Sequence, residues 1–359
     1  MNCSKVLILS LGLFLSVPII AATAAPDELA KIVHAEMASQ HIPGLALLVA
    51  RNGQTLCAEG FGFANVELNV RVTPATIFQS GSVGKQFTAT AVMMLVEAGK
   101  IGLDDPLTKY FPEAPAWWEQ VTVRELLSHT AGFTEYPDDF DFRKDYTEDQ
   151  LLKIVEAIPA AYPPGTSWNY ANLGFLTLGI LIHRVTGEFY GDFLQQRIFK
   201  PLGMSTTRII SEADIVPNRA AGYRLVDGAL KNQEWIAPTA NISADGALYF
   251  SILDVAKWDA ALNTEKLLKK SSLQQMWTIA TLKDGNPNSG HYGFGWFIES
   301  RNGQHIVEHE GGWQGFETQI SRYIDTGLTV VVLTNLDSAN PQQIADRVAA
   351  IYLPRKSAP

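Results

Sequence analysis

Hairpin signals near both ends of the chain limit the folds that it can adopt. Asn52-Gly53 separates two strand-like runs, and Asn302-Gly303 separates two more much later in the 359-residue sequence. Asn-Gly between apolar segments is the strongest short-range signal for a tight β-hairpin. Asp325-Thr326-Gly327 marks a further turn between strand-like runs. Antiparallel strands are therefore predicted at both ends of the chain.

The middle of the sequence has a different character. Residues 99–282 lose the strand pattern and contain apolar residues at helical spacing, as in Leu173 to Val185, which stops at Thr186-Gly187. We expect an α+β fold, with one antiparallel sheet flanked by helices and built from both chain ends, residues 25–98 and 283–359. Residues 99–282 would form an all-helical domain inserted in the middle. An active site would lie between the two units.

The first 24 residues have the composition of a secretory signal peptide. Lys5 provides a positive charge, residues 6–20 are uncharged and apolar, and Ala22-Thr23-Ala24 fits a cleavage site. We expect cleavage there and export to the periplasm or the medium, with an uncleaved N-terminal anchor as the alternative. Cleavage would leave Cys57 as the one cysteine, so no intramolecular disulfide could form. No stable membrane span is expected after cleavage.

The composition also bears on partners. The formal net charge is −9, and no run of basic residues could neutralise phosphates, so a nucleic-acid partner is not expected. No cofactor is predicted. The expected partner is a small-molecule or peptidoglycan-type substrate, and the sequence leaves the oligomeric state open.

A serine and a lysine three residues apart are the first candidates for chemistry. Ser82 follows Gly81 and opens an apolar helical segment, where the first backbone N–H groups lack intrahelical acceptors. Lys85 shares a helical face with Ser82 and can take its proton once burial lowers the amine pKa. Ser82 is thus the predicted nucleophile and Lys85 its base, the logic of Ser-x-x-Lys acyl-transferases. The alternative is a chance match on an exposed helix.

A second candidate segment opens the predicted helix that begins at Leu173. The hydroxyl of Tyr170 could relay the proton from Ser82 to a leaving group. The amide of Asn172 could hold Lys85 and a substrate carbonyl together. The alternative is a pair of structural residues at a helix start.

A third candidate segment is glycine-rich. His309 ends a predicted strand, and the glycines after it would let a substrate lie against the backbone. The N–H groups of Ser82 and Gly312 are the predicted oxyanion donors. Gly311, Trp313 and Phe316 are the predicted substrate-binding residues. The alternative is a hairpin loop with an exposed histidine.

Taken together, these segments resemble a known superfamily. Ser82-x-x-Lys85, Tyr170-x-Asn172 and His309-x-Gly311 occur in the order found in serine beta-lactamases and penicillin-binding D,D-peptidases. The Tyr-x-Asn element is similar to that of class C beta-lactamases and their esterase and D-aminopeptidase relatives, and segments 126–133, 163–165 and 201–204 extend the resemblance over nearly the whole mature chain. The resemblance implies an acyl-enzyme on Ser82, with Lys85 and Tyr170 sharing general-base and general-acid catalysis.

One departure from the superfamily affects the expected substrate. Beta-lactamases carry lysine where this chain has His309, and Glu308 and Glu310 add negative charge beside it. We therefore expect hydrolysis of a small ester or amide, as in an esterase or a D-amino-acid peptidase. A neutral or protonated His309 can still hydrogen-bond Tyr170 or a substrate oxygen. The alternatives are a true beta-lactamase and a penicillin-binding sensor that is acylated without turnover.

A zinc hydrolase is a further alternative. His305, Glu308 and His309 fit the H-x-x-E-H pattern of one group of zinc peptidases. That pattern needs a helix, whereas residues 304–308 read as a strand, along which positions i and i+4 lie about 13 Å apart. We therefore predict no metal site.

Overall fold

Strands from the two ends of the chain meet in one antiparallel sheet. The computed structural model describes residues 26–209, 213–238, 243–246 and 248–354. The predicted signal peptide, residues 1–24, lies outside the described residues. The strands, in chain order, are β1 (Gly44–Arg51), β2 (Gln54–Asn65), β3 (Val70–Arg71), β4 (Phe78–Gln79), β5 (Arg208–Ile209), β6 (Tyr223–Val226), β7 (Ala229–Asn232), β8 (Leu248–Phe250), β9 (Phe297–Arg301), β10 (Gln304–Trp313), β11 (Phe316–Tyr323) and β12 (Leu328–Thr334).

Helices cover the sheet and fill the middle of the chain. They are α1 (Pro26–Gln40), α2 (Lys85–Glu97), α3 (Val123–Leu127), α4 (Glu148–Ala157), α5 (Asn172–Thr186), α6 (Tyr190–Leu194), α7 (Lys200–Leu202), α8 (Ile252–Leu262), α9 (Lys270–Met276) and α10 (Pro341–Tyr352). A π-helical turn, Gln195–Phe199, joins α6 to α7. Within the described residues, no helix has both the length and the apolarity needed to cross a membrane.

The central pairing of the sheet joins the two chain ends. Among the described residues, the strand order is β3-β2-β1-β12-β11-β10-β9, and Leu45 of β1 lies opposite Thr334 of β12. Both faces of β1 are buried: Leu45 and Leu47 pack in the core beneath α1 and α10, whereas Ala46 and Leu48 belong to the larger core on the other face. The predicted fold class, a sheet assembled from both ends and flanked by helices, is confirmed.

The two Asn-Gly hairpins form as predicted. Asn52 and Gly53 have φ angles of 50° and 76°, and Asn302 and Gly303 have φ angles of 54° and 75°. A tight hairpin turn of this kind requires left-handed backbone at both central residues, which asparagine and glycine adopt at little cost. The register of β9 on β10 follows from its turn, whereas that of β1 on β2 shifts by one residue between Ala50 and Val49.

The middle of the chain is mainly helical, but the expectation of an all-helical insert was wrong. Short strands β5 and β8 pair there, and β6 and β7 form a hairpin. These strands are too short to show an alternating pattern, and β8 is buried along its whole length, so no polar face marked it as a strand. The turn Asp227-Gly228 was the one sequence signal that could have revealed the β6–β7 hairpin.

A short 3-10 turn, Gly81–Gly84, leads directly into α2 and lies against β10. Gly81 has a φ of 50°, which favours glycine, and a Cβ built on it would come within 2.6 Å of the backbone of both Gly311 and Gly312. The turn and the strand are therefore in direct backbone contact. This contact brings residues from both ends of the chain to one place.

Alanine at Gly81 should disrupt the structure more than alanine at Gly99, which ends α2. Both glycines have positive φ angles, so either substitution costs about 1–2 kcal/mol of backbone strain. At Gly99 nothing lies within 4 Å of the added Cβ, whereas at Gly81 the Cβ meets β10. Urea unfolding should therefore show a greater loss of stability for Gly81→Ala than for Gly99→Ala. Equal losses would contradict the close backbone contact.

Candidate active site

Ser82 and Lys85 lie where the 3-10 turn meets α2. The Lys85 Nζ is 2.9 Å from the Ser82 Oγ, so the predicted nucleophile and base are in hydrogen-bond contact. Ser82 is partly exposed, whereas Lys85 is fully buried. The one-turn spacing read from the sequence thus places an amine directly behind a hydroxyl that can reach solvent.

Lys85 has two further hydrogen-bond acceptors. Its Nζ donates to the Asn172 Oδ1 at 2.6 Å and to the backbone carbonyl of Asp245 at 2.5 Å. Burial lowers the pKa of Lys85 from its ordinary 10.5 to about 8, although the carboxylates of Asp245 and Glu135 oppose this shift. An amine with this pKa is neutral in a useful fraction of molecules near neutral pH.

Asn172 is held in one orientation by Glu135. The Glu135 carboxylate accepts hydrogen bonds from the Asn172 backbone N–H at 3.2 Å and from its Nδ2 at 2.8 Å. Because the Nδ2 faces Glu135, the Oδ1 must face Lys85. The same carboxylate accepts from the first N–H of α5, where no intrahelical acceptor exists.

Tyr170 lies between Lys85 and the open side of the site. The Lys85 Nζ is 4.9 Å from the centre of the Tyr170 ring. The hydroxyl oxygen is buried and has no well-aligned hydrogen-bond partner among the described residues. Burial raises the pKa of Tyr170 well above 10, and an interaction with the Ser82 hydroxyl only partly opposes this. Tyr170 is therefore a protonated phenol whose hydroxyl lies near the Ser82 hydroxyl.

His129 supports the segment that carries Tyr170. Its ring packs against the Tyr170 ring at a tilt of 35° with centres 4.3 Å apart, and its Nδ1 accepts a hydrogen bond from the Ala171 N–H at 3.1 Å. Burial, with Lys85 and His309 nearby, holds the pKa of His129 well below its usual value. His129 thus acts as a neutral structural support for Tyr170.

His309 is buried at the same place, but both of its ring nitrogens are occupied. The Nδ1 lies 2.5 Å from the Glu310 carbonyl, which can only accept, so the Nδ1 carries the proton. The Nε2 must then accept from the Tyr292 hydroxyl, 2.8 Å away. His309 therefore does not hydrogen-bond Tyr170 in this structure, because Tyr292 and the Glu310 carbonyl engage its two nitrogens. Burial and the Lys85 charge lower the pKa of His309 to about 3.

Gly311 and Gly312 place the backbone of β10 against Ser82. A Cβ on Gly311 would lie 2.8 Å from the Ser82 N, so only glycine fits this contact. Gly312 is exposed and lines the same cavity as Ser82. The two predicted oxyanion donors, the N–H groups of Ser82 and Gly312, therefore belong to adjacent pieces of backbone.

A cavity of about 680 Å³ opens in front of Ser82. Tyr170, His309 and Gly312 line it together with the rings of Trp168 and Phe297, neither of which the sequence singled out. Its other lining residues are Glu310, Glu317, Ala339, Asn340, Pro341 and Gln342. Residues from the helical middle, β10 and the start of α10 thus surround the nucleophile.

The described residues that line this cavity do not include the three predicted substrate-binding residues, Gly311, Trp313 and Phe316. Gly311 is buried under the 3-10 turn. Phe316 is also buried, with its ring edge-on to Phe78 at 6.3 Å, and Trp313 lies beside Phe142. Proximity in sequence to His309 was a poor guide. Gly311 and Trp313 stand two and four residues after His309 on β10, but Gly311 is covered by the 3-10 turn and Trp313 lies beside Phe142, and Phe316 already belongs to β11.

The described part of the chain does not contain the arrangement of ligands that the zinc-hydrolase alternative requires. No group of three His, Cys, Asp or Glu side chains there is arranged to hold a metal ion. His305 and His309 lie on the extended strand β10, where His305 is exposed and His309 is buried.

Known proteins are similar to this chain in sequence and in fold. The sequence matches the Beta-lactamase family over residues 29–353. A penicillin-binding protein of Bacillus subtilis (strain 168) is 28% identical over 325 residues, which cover 86% of this chain and 71% of that protein. The octameric penicillin-binding protein homologue from Pyrococcus abyssi has a TM-score of 0.80 at 29% identity, covering 90% of this chain and 76% of the other. A D-stereospecific amidohydrolase from Streptomyces sp. has a TM-score of 0.76 at 25% identity, and the match covers 92% of this chain and 99% of the other.

Glutamine at Glu135 should lower the pKa of Lys85. The Glu135 carboxylate favours the protonated amine, so removal of its charge should increase the fraction of neutral Lys85 at a given pH. The rate at which a fluorophosphonate modifies Ser82 should then rise at lower pH in Glu135→Gln than in the native protein. Asp138→Asn, at an exposed carboxylate in the same loop, should leave the profile unchanged. Identical profiles for all three proteins would rule out the link between Glu135 and Lys85.

Proposed function

This chain belongs to the beta-lactamase family, and we propose that it is a serine hydrolase that cleaves a small ester or amide through an acyl-enzyme on Ser82. The family assignment agrees with the resemblance inferred from the sequence motifs. The predicted signal peptide supports an exported enzyme that acts outside the cytoplasm.

The observation that carries this proposal is the hydrogen bonding of Lys85. The Lys85 Nζ donates two hydrogen bonds, one to the Asn172 Oδ1 and one to the Asp245 carbonyl. Both oxygens are acceptors and cannot donate a proton to the amine. The remaining direction faces the Ser82 Oγ. In the neutral amine, the lone pair occupies that direction and can accept the Ser82 proton.

Acylation then follows from the positions of the other groups. As Lys85 takes the proton, the Ser82 Oγ bonds to the substrate carbonyl carbon, and the N–H groups of Ser82 and Gly312 would stabilise the oxyanion. The bond to the leaving group breaks as the Tyr170 hydroxyl donates a proton to it, and Lys85 can restore that proton. Tyr170 suits this role because burial keeps its pKa well above 10, so it begins each cycle protonated. Attack by water on the acyl-enzyme would reverse the same proton transfers.

Small neutral or cationic substrates fit the cavity better than anionic beta-lactams. His309 is a neutral imidazole where beta-lactamases carry lysine, and Glu310 and Glu317 line the cavity. A substrate carboxylate would thus meet negative charge without a compensating cation from His309. The amidohydrolase from Streptomyces sp. supports an amide as one candidate. We expect kcat/KM for short esters and D-amino-acid amides to exceed that for a chromogenic cephalosporin.

Covalent labelling tests the nucleophile. A fluorophosphonate should add one adduct to Ser82, located by mass spectrometry of the digested protein. Ser82→Ala should abolish both labelling and ester hydrolysis, whereas Ser80→Ala, at a buried serine two residues earlier, should retain labelling. Labelling at another residue, or full activity in Ser82→Ala, would refute the proposal. Activity that survives Ser82→Ala and is lost with a chelator would favour the zinc hydrolase instead.

The pH dependence should report the ionisation of Lys85. The folded pKa is lowered to about 8, so the amine is protonated and unable to accept a proton at lower pH. On a neutral ester, kcat/KM should therefore rise about tenfold per pH unit below pH 8 and level off above it. Lys85→Arg, which stays protonated, should reduce kcat/KM by about 100-fold or more at every pH. A flat profile across this range would exclude Lys85 as the base.

A further inference from the structure

The cavity in front of Ser82 carries an unbalanced negative charge. Of the residues that line it, Glu310 and Glu317 are the only ones with an ionisable carboxyl or a permanent charge, and the lining includes neither lysine nor arginine within the described part of the chain. Acidic residues alone do not make a binding site. This cavity is a candidate binding site because Ser82, the proposed nucleophile, lines it.

Neither carboxyl group is paired with a basic side chain among the described residues. The backbone carbonyls of Glu310 and Glu317 accept hydrogen bonds from His309 and Thr334, but no ion pair or hydrogen bond there involves either carboxyl group. Glu308, on the same face of β10, provides a contrast: its carboxylate is paired with Arg301 at 2.5 Å and accepts a hydrogen bond from Ser321 at 3.0 Å. The sheet therefore compensates one carboxylate and leaves the two that face the cavity uncompensated.

Glu317 lies close to the reacting backbone. It is the cross-strand partner of Gly312, and a Cβ on Gly312 would come within 2.7 Å of the Glu317 Oε1. Because Gly312 has no side chain, the carboxyl packs directly over its Cα. Burial, followed by the charges of Glu310 and Asp337, raises the pKa of Glu317 to about 8. A cation bound nearby would relieve this repulsion.

The basic groups near the cavity cannot provide that cation. Lys85 is fully buried and already bonded to Ser82, Asn172 and Asp245. His309 is neutral, since its ring nitrogens are engaged by the Glu310 carbonyl and the Tyr292 hydroxyl. Within the described residues, the lining of the cavity therefore provides no cation to balance the glutamates.

We propose that the substrate carries a positively charged ammonium group, which Glu317 and Glu310 bind on the far side of Gly312 from Ser82. This proposal rests on the proposed hydrolase function and specifies its substrate class. The cation adds Coulomb attraction to two carboxylates in a partly enclosed cavity, where charges are screened less than in bulk water. The same two carboxylates repel an anionic substrate and weaken its binding.

Matched pairs of esters test this proposal on both sides of the scissile bond. Acetylcholine and 3,3-dimethylbutyl acetate differ mainly in a cationic or neutral leaving group of the same shape. The phenyl esters of trimethylglycine and of 3,3-dimethylbutanoate provide the same comparison on the acyl side. Quaternary ammonium groups keep their charge at every pH, so kcat/KM can be compared at about pH 8.5, where Glu317 is largely ionised and Lys85 largely neutral.

The informative quantity is the cation-to-neutral ratio of kcat/KM in each protein, because comparison between variants cancels intrinsic ester reactivity. We expect this ratio to fall about tenfold or more in Glu317→Gln for at least one of the two pairs, mainly through KM. The pair that responds identifies whether the ammonium belongs to the acyl or the leaving group. Glu59→Gln removes an equal charge from exposed β2 and should leave the ratio unchanged.

Other outcomes separate this proposal from the hydrolase function itself. If Glu317→Gln hydrolyses the neutral esters poorly, Glu310→Gln, at an exposed side chain, provides a second comparison. A ratio that neither glutamine variant lowers for either pair would overturn the ammonium proposal while leaving the hydrolase intact. A native protein that hydrolyses no ester and forms no adduct on Ser82 would instead refute the proposed function.

Discussion

The rest of the site depends on the hydrogen bonds that hold the buried amine of Lys85. Three separate parts of the chain must meet to hold it: the turn that carries Ser82, the start of α5 with Asn172, and the backbone at Asp245. An amine buried without such partners would be costly, and an amine paired with a carboxylate would be a poor base. Hydrogen bonds to neutral carbonyl oxygens satisfy its donors without fixing its charge.

Burial also decides the charge state of the surrounding groups. It lowers the pKa values of Lys85, His129 and His309, and it raises that of Tyr170. Each shift favours the neutral form, because a poorly solvated interior disfavours every charge. The groups behind Ser82 can therefore exchange protons without creating isolated ions. The two carboxyl groups of the cavity lie on its outer wall at Glu310 and Glu317, and burial raises the pKa of Glu317 to about 8 as well.

Sequence reasoning singled out candidate residues whose chemistry lies in their own side chains and whose spacing forms a motif. Ser82, Lys85, Tyr170, Asn172 and His309 are all brought together in the structure. It missed Asp245, which acts through a carbonyl that every residue possesses, and it missed Glu135 and Tyr292, whose partners lie far away in the sequence. It misplaced Phe316 because the direction of a strand side chain depends on register, which the local sequence did not reveal.

The pairing of β1 with β12 has a consequence for biosynthesis. Ser82 and Lys85 are made early, but the backbone that completes their surroundings belongs to β10, near the other end of the chain. A nascent or truncated polypeptide would thus contain the nucleophile without its second oxyanion donor. Pairings so distant in sequence also form slowly, since a large loop must close first. On the proposed mechanism, reactivity at Ser82 would therefore emerge only after the late strands of the sheet have joined the early ones.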